Sequence, residues 1–315
     1  MMTITQLEYI VAVDQYQNFS IAAEKCNVTQ PTLSMQIKKL EDILDVVIFD
    51  RGKQPIIPTE IGKKIIEQGK VILSEAKKVN DIILQHKGEI NGELKVGIIP
   101  TLAPYLLPLF AGSISKKYPN LQLTVKELQT EEIIQHLHKD LIDVGLLVTP
   151  INEKGITERP LFYEEILVYT NPEYKFEKQL EVSLADLTSP DIWLLSAGHC
   201  FRDQMINLCS YQSKNKMNSN LPISYESGSL ETLIRLVDKE GGFTLLPELA
   251  VDELSEDAQE HIRTFTEERP MREVSIVHAR NFAKASLIDA LSKTIQECVP
   301  KELLTRDRGN VVEWR

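Results

Sequence analysis

Four cysteines, at positions 26, 200, 209 and 298, punctuate a chain of 315 residues. A cysteine does chemistry as its thiolate, which is favoured beside cationic groups or at the first turn of a helix. Cys200 has such a setting. Gly198-His199-Cys200-Phe201-Arg202-Asp203 puts it at or near a helix start, with an imidazole before it and a guanidinium after it. Cys209 follows nine positions later, closing Gln204-Met205-Ile206-Asn207-Leu208-Cys209. Two chemistries are open to these residue types. Cys200 with His199 resembles the nucleophile and base of a cysteine hydrolase or thiol peroxidase, and an activated thiolate is also a site of reversible oxidation. Cys26 and Cys298 lack such neighbours and read as small buried hydrophobes.

A second constellation lies at residues 18–51. A short helix, a tight turn at Asn27-Val28 and a helix opened by Thr29 form a helix-turn-helix pattern. Leu33, Ile37, Leu40 and Leu44 make its apolar stripe. The other face carries Gln30, Thr32, Ser34, Met35 and Gln36, types that suit base edges in a major groove. Lys38, Lys39, Arg51 and Lys53 are candidates for phosphate contact. His136, His138, Asp140 and Asp143 match no zinc spacing and read as a solvated face, so no metal or cofactor is called for.

Composition sets the limits. Apolar residues are 43% of the chain and charged residues 26%, an ordinary globular balance. No apolar run reaches the roughly 20 residues of a membrane span. The N-terminus lacks the basic and apolar regions of a signal peptide, so the expected compartment is the cytoplasm, where cysteines are not disulfide scaffolds by default. The net charge of −11 does not exclude DNA. Residues 1–87 hold 11 basic and 11 acidic side chains, and the whole excess of acid lies beyond them.

The elements that must position these residues follow from periodicity. Thr5-Gln6-Leu7-Glu8 reads as a capping box for a first helix, and Ser20 as the cap of a second. Val46–Phe49 and Ile56-Ile57 flank a basic tip and read as a β-wing. Thr59 opens a long helix to about His86. In it Ile65, Gly69, Ile72, Ala76, Val79 and Ile83 form a heptad seam that predicts a homodimer. From Glu93 strands and helices alternate, which predicts an α/β domain. Strands are expected at Leu94–Ile98, Leu121–Val125, Val144–Val148, Glu165–Tyr169, Trp193–Leu195, Ile223–Tyr225, Phe243–Leu246 and Val274–His278. Helices are expected after Thr101 and Thr130, whose hydroxyls read as N-caps, and at Lys284–Val299.

Several tracts carry a family resemblance. Asn18-Phe19-Ser20-Ile21-Ala22-Ala23-Glu24, Val28-Thr29-Gln30-Pro31-Thr32-Leu33-Ser34, Leu44-Asp45-Val46-Val47-Ile48-Phe49-Asp50-Arg51 and Pro58-Thr59-Glu60-Ile61-Gly62 resemble the LysR-type transcriptional regulators. The resemblance implies a winged helix-turn-helix at 1–58 and a dimerising linker helix at 59–90. It also implies a two-subdomain effector domain at 91–300, similar to periplasmic binding proteins. Subdomain I would take about 91–164 and 268–300, and subdomain II about 165–267, leaving a tail at 301–315. Assembly would be a dimer of dimers on dyad-related double-stranded DNA, acting with RNA polymerase. Arg51 and Thr59 match positions that meet the DNA backbone.

The segment from Gly198 to Cys209 further resembles the redox segment of the peroxide-sensing members of this family. So do Ile99-Pro100-Thr101-Leu102, Leu128-Gln129-Thr130, Ser229-Leu230-Glu231 and Gly242-Phe243-Thr244. In those members two cysteines nine residues apart form a reversible disulfide. That resemblance implies Cys200 as peroxidatic, Cys209 as resolving, and Thr101, Thr130, His199, Arg202 and Asp203 around a hydrogen peroxide pocket. The implied function is activation of antioxidant genes rather than enzymatic turnover. The alternatives are a LysR-type regulator answering a small organic effector, and a thiol peroxidase. If the segment between the cysteines is helical when reduced, their Cα atoms lie roughly 13 Å apart. A disulfide needs them within about 7 Å, so oxidation has to unwind the segment.

Overall fold

The computed structural model describes residues 2–53, 55–87, 90–176, 178–188, 191–209, 228–266, 269–279 and 284–313. They divide into two compact units, one built on Met1–Glu89, the other on Ile90–Arg280 and Leu287–Arg315.

In the first unit, α1 (Ile4–Tyr16), α2 (Phe19–Lys25) and α3 (Gln30–Leu44) precede two short antiparallel strands, β1 (Phe49–Asp50) and β2 (Ile57–Pro58), and the long α4 (Glu60–Lys87). Leu33, Ile37 and Leu40 of α3 are buried with Leu7, Ile10 and Val13 of α1, Ala22 and Ala23 of α2, Phe49 of β1 and Ile66 of α4. Thr29 caps α3 as expected. The first two caps differ from expectation. Thr3, not Thr5, makes the capping box of α1, exchanging bonds with Gln6. Asn18, not Ser20, caps α2, and its carboxamide oxygen accepts from both Ser20 N and Ile21 N. In each case the competing hydroxyl lies two residues further along, and the earlier side chain reaches the free amides first.

The heptad seam of α4 is split. Ile65 and Ile72 pack on the unit's own core, and Gly69 lies against Leu7 and Ile10 of α1. Val79 is 59% exposed. The side chain of Ile83 is outside the described residues.

The second unit is a mixed α/β structure. Its elements are β3 (Gly92–Ile98), α5 (Ala103–Lys117), β4 (Leu121–Glu127), α6 (Thr130–His138), β5 (Val144–Thr149), β6 (Ile156–Thr170), β7 (Glu181–Val182), α7 (Cys200–Leu208), α8 (Leu230–Glu240), β8 (Phe243–Pro247), α9 (Glu248–Val251), α10 (Glu256–Gln259), β9 (Ile262–Phe265), β10 (Pro270–Ala279), α11 (Ala285–Cys298) and β11 (Asn310–Val311). β4, β3 and β5 run parallel, with β10 antiparallel to β5 and β6 antiparallel to β10. β6 is long enough to serve two sheet regions. Its first ten residues pair with β10, and Ile166–Thr170 pair with β8 and in part with β9. β5 is buried along its whole length, which is why its sequence is an unbroken apolar run.

Trp193–Leu195 does not form the expected strand. A single bridge joins Ile192 to Phe243, after which the Thr244 hydroxyl takes the Trp193 carbonyl that a ladder would use. The strand expected at Ile223–Tyr225 lies outside the described residues. Residues 301–313, expected as an appended tail, belong to this unit. Leu303 is buried and β11 adds to β10. No helix among the described residues is long and apolar enough to cross a membrane.

Candidate functional site

β3 and β4 are neighbouring parallel strands, and the segments leaving their carboxyl ends carry Thr101 and Thr130. This is the edge at which α/β sheets bind ligands. Ile99 N donates to Leu146 O and Leu128 N to Ile98 O, which fixes the two turns side by side. Neither threonine is an N-cap. Leu102 occupies that position for α5 and Gln129 for α6, where Gln129 exchanges capping bonds with Glu132. Cys200 is the first residue of α7 and His199 its N-cap. Gly198 has φ +97°, and a Cβ there would lie 2.5 Å from Gln129 Oε1, so glycine is required.

These segments meet around one tight pocket with no free room for a water molecule, lined by Ile99, Pro100, Thr101, Gln129, Thr130, Gly198, His199 and Cys200. Thr101, Thr130, His199 and Cys200 are all buried. The Thr130 hydroxyl has no oxygen or nitrogen partner, and lies near enough to the Cys200 sulfur to favour its ionised form. Arg202 and Asp203, expected in this pocket, do not line it; both are half-buried further along α7.

The cation of the site is one the sequence reading passed over. Arg272, on β10, is fully buried. Its Nε donates to Glu164 Oε1 at 2.9 Å, its Nη1 to Thr101 Oγ1 at 3.1 Å and its Nη2 to the Thr101 carbonyl at 3.1 Å. Its guanidinium carbon stands 5.0 Å from the centroid of the Phe201 ring. Glu164 Oε2 accepts in turn from Leu249 N. The available signal was an arginine in a strand otherwise patterned for burial, which demands a buried acid as partner.

Burial pushes the Cys200 thiol above its ordinary 9.0, against the pull of Thr130, the charge of Arg272 and the Phe201 amide. The helix start alone therefore does not make it a thiolate, contrary to the sequence-based expectation. Burial holds His199 below 6.5, so it is neutral at pH 7. Cys209 sits at the other end of α7 as its C-cap, buried, with its thiol pushed up to about 12. Both cysteines are free thiols, and α7 is continuous between them up to the Cys209 N–H bond to Met205 O. No cluster of metal-ligating side chains occurs among the described residues.

In the first unit Gln30, Met35, Lys38 and Lys39 of α3 are exposed, and Thr32, Ser34 and Gln36 half-exposed. Most of the expected DNA contacts already have partners, the Thr32 hydroxyl among them, 2.8 Å from that of Thr29. Gln36 Oε1 accepts from Gln6 Nε2 at 3.3 Å, Ser34 Oγ accepts from Arg51 Nη1 at 3.3 Å, and the Thr59 hydroxyl donates to Val47 O at 2.7 Å while accepting from Gly62 N. Arg51 also pairs with Glu41 at 3.0 Å, and the other Glu41 oxygen accepts from Ile48 N and Phe49 N. Glu41, which the sequence reading did not single out, is what joins α3 to the wing. Lys38 pairs with Asp42 on the exposed face.

Residues 4–63 match the bacterial regulatory helix-turn-helix protein, lysR family, and residues 87–298 match the LysR substrate binding domain. The chain belongs to the LysR family. Among LysR-family relatives, a hydrogen peroxide-inducible genes activator of Haemophilus influenzae is 32% identical, over 88% of this chain and 90% of that protein. A full-length OxyR variant from Pseudomonas aeruginosa superposes with a TM-score of 0.78 at 32% identity, covering 95% of this chain and 99% of that one. A Corynebacterium glutamicum OxyR mutant solved with H2O2 bound has a TM-score of 0.60 at 28% identity, over 94% and 92% of the two chains.

Proposed function

We propose that this LysR-family chain is a hydrogen-peroxide-sensing transcriptional activator, switched by a reversible disulfide between Cys200 and Cys209. The observation that carries it is the pocket. A buried cysteine, a Thr130 hydroxyl with no oxygen or nitrogen partner and a Thr101 hydroxyl that accepts from Arg272 converge on one tight space. The lining groups, a thiol and two hydroxyls, suit a ligand of two oxygen atoms, and the space between them is far below the roughly 300–1,000 Å³ of pockets for organic ligands. The size counts against an organic effector at this place.

The chemistry balances as follows. The Cys200 thiolate attacks one peroxide oxygen, the O–O bond breaks, and the leaving hydroxide takes a proton to become water. Sulfur is oxidised by two electrons to sulfenic acid, and peroxide is the oxidant. Thr101 and Thr130 hydrogen-bond the peroxide oxygens, and Arg272 stabilises the negative charge on entering sulfur and leaving oxygen. The Cys209 sulfur then attacks the Cys200 sulfenic sulfur. The S–S bond forms, the S–O bond breaks, and a second water leaves. Reduction by a cellular dithiol resets the pair.

In the same reading residues 1–58 are the DNA head. Gln30, Thr32, Ser34 and Gln36 meet base edges, and Lys38, Lys39, Arg51 and Thr59 set the phosphate register. Residues 59–90 pair two chains, residues 91–300 form the sensing domain, and the assembly is a dimer of dimers working with RNA polymerase in the cytoplasm. Arg202 and Asp203 lie outside the pocket lining, and Asp203 bears on Cys200 only through a charge that opposes the thiolate. The chain is read as a regulator and not a turnover enzyme. The test is thiol titration with peroxide alongside footprinting on the chain's own upstream DNA. Loss of two thiols per chain with an altered footprint is expected. Thiols that do not respond refute the sensing, and sustained peroxide turnover without DNA affinity identifies a peroxidase instead.

A further inference from the structure

The C-terminal strand is joined to the redox helix. β11 runs parallel to β10, with Asn310 beside Pro270 and Val311 beside Met271, and Val312 N donates to Met271 O at 2.8 Å. The next two carbonyls face α7. Val312 O accepts from Gln204 Nε2 at 2.7 Å, and Glu313 O accepts from Asn207 Nδ2 at 2.9 Å. Gln204 is fully buried, and its Oε1 has no partner. A leucine or methionine of similar length would fill that space without stranding a buried acceptor, so packing alone does not account for an amide there. Upstream, Arg308 anchors the segment between Glu165 and Glu248, at 3.2 and 2.7 Å. Met271, which receives the Val312 amide, directly precedes Arg272.

We propose that Gln204 and Asn207 are positioning residues that fasten α7 to the strand at 310–313, and that this latch must open before Cys209 reaches Cys200. The proposal rests on the disulfide reading above and adds a step to it. Forming the S–O bond needs only peroxide at the first residue of α7. Forming the S–S bond needs α7 unwound, which breaks both side-chain bonds to the strand. The latch therefore governs the second step and leaves the first alone.

The full-length chain is compared with a chain ended at Gly309 and with Gln204→Met and Asn207→Ala. Three quantities are read: sulfenic acid formation by trapping, thiol loss on closure after rapid mixing, and amide exchange of residues 200–209 in the reduced protein. Truncation and Gln204→Met are expected to speed closure about fivefold to tenfold, the loss of one or two hydrogen bonds. Exchange in α7 should rise by a similar factor, and sulfenic acid formation should stay within about twofold. Closure at the original rate, unchanged exchange, or equal slowing of both chemical steps overturns the proposal. If the truncated chain does not fold, the two point variants decide. If the unaltered protein ignores peroxide, the sensing reading fails, while exchange in the reduced protein still shows whether the strand holds α7.

Discussion

Replacing Arg272 by methionine tests whether its charge or its bonds matter at the pocket around Cys200. The guanidinium is fully buried and holds Glu164, the Thr101 hydroxyl and the Thr101 carbonyl at 2.9 to 3.1 Å. Its loss strands a buried carboxylate whose remaining partner is Leu249 N, at a cost of about 3–5 kcal/mol. It also frees the Thr101 carbonyl, for about another 1–3 kcal/mol. Set against a typical total of about 5–15 kcal/mol, Arg272→Met should be severely destabilised. Adding Glu164→Gln removes the stranded charge, so the double variant should recover about 3 kcal/mol in urea denaturation. Reactivity should not follow. Arg272 favours ionised Cys200, so sulfenic acid formation at pH 7 should remain slow in the double variant although its fold is restored. Recovery of reactivity together with stability would show that Arg272 acts only as a scaffold. A single variant that loses less than about 1 kcal/mol would refute the buried-pair argument itself.

Three further outcomes are expected. Because burial holds the Cys200 thiol above 9.0, its thiolate is a minor form at neutral pH, and the rate of oxidation should climb about tenfold per pH unit from 6 to 8; a flat profile would mean the thiolate is already formed. Cys200→Ser should abolish the response to peroxide, whereas Cys209→Ser should still lose one thiol, trapped as sulfenic acid, without closing; mass spectrometry separates the two. Val79→Glu should prevent pairing through α4 in sedimentation while the head stays folded, because Val79 is exposed, whereas Ile72→Glu should also lower the melting temperature, because Ile72 packs on the head's own core.

The parts of this molecule that local sequence determines were legible in it. The α3 stripe from Leu33 to Leu40, the buried run of β5 and the strands around Leu94 and Val274 rest on periodicities that tertiary context reinforces, whereas Leu44 at the end of α3 is 36% exposed and the wing strands shrink to Phe49–Asp50 and Ile57–Pro58. Caps were misplaced by one or two residues at Thr5, Ser20 and Thr130, because neighbouring polar side chains compete for the same free amides and periodicity does not choose between them. The α4 seam looked continuous because a heptad pattern is the same whether its partner is another chain or α1 of the same chain. Within the pocket, Thr101, Thr130, His199 and Cys200 were recognisable through the family resemblance. Arg272 and Glu41 were not, since each owes its role to a partner more than six residues away: Glu164 for Arg272, and the Ile48 and Phe49 amides with Arg51 for Glu41. A charged residue in a segment patterned for burial is the general sign of such a pair.

The helix that separates the two thiols also bears on how the switch turns off. Phe201, Gln204 and Met205 form the buried face of α7, and unwinding it to join the cysteines gives up part of that packing. The work is returned when the bond is reduced and the helix re-forms, so folding assists reductive cleavage. For a two-electron couple each 1.4 kcal/mol is about 30 mV. A helix whose packing is worth about 3–4 kcal/mol thus makes the couple more oxidising by roughly 60–90 mV than the same two thiols in an unstructured peptide. Substitutions that loosen α7 without touching sulfur should then lengthen the signal after peroxide is gone. If Cys200 and Cys209 close as proposed, the stability of this nine-residue helix sets how long the response lasts.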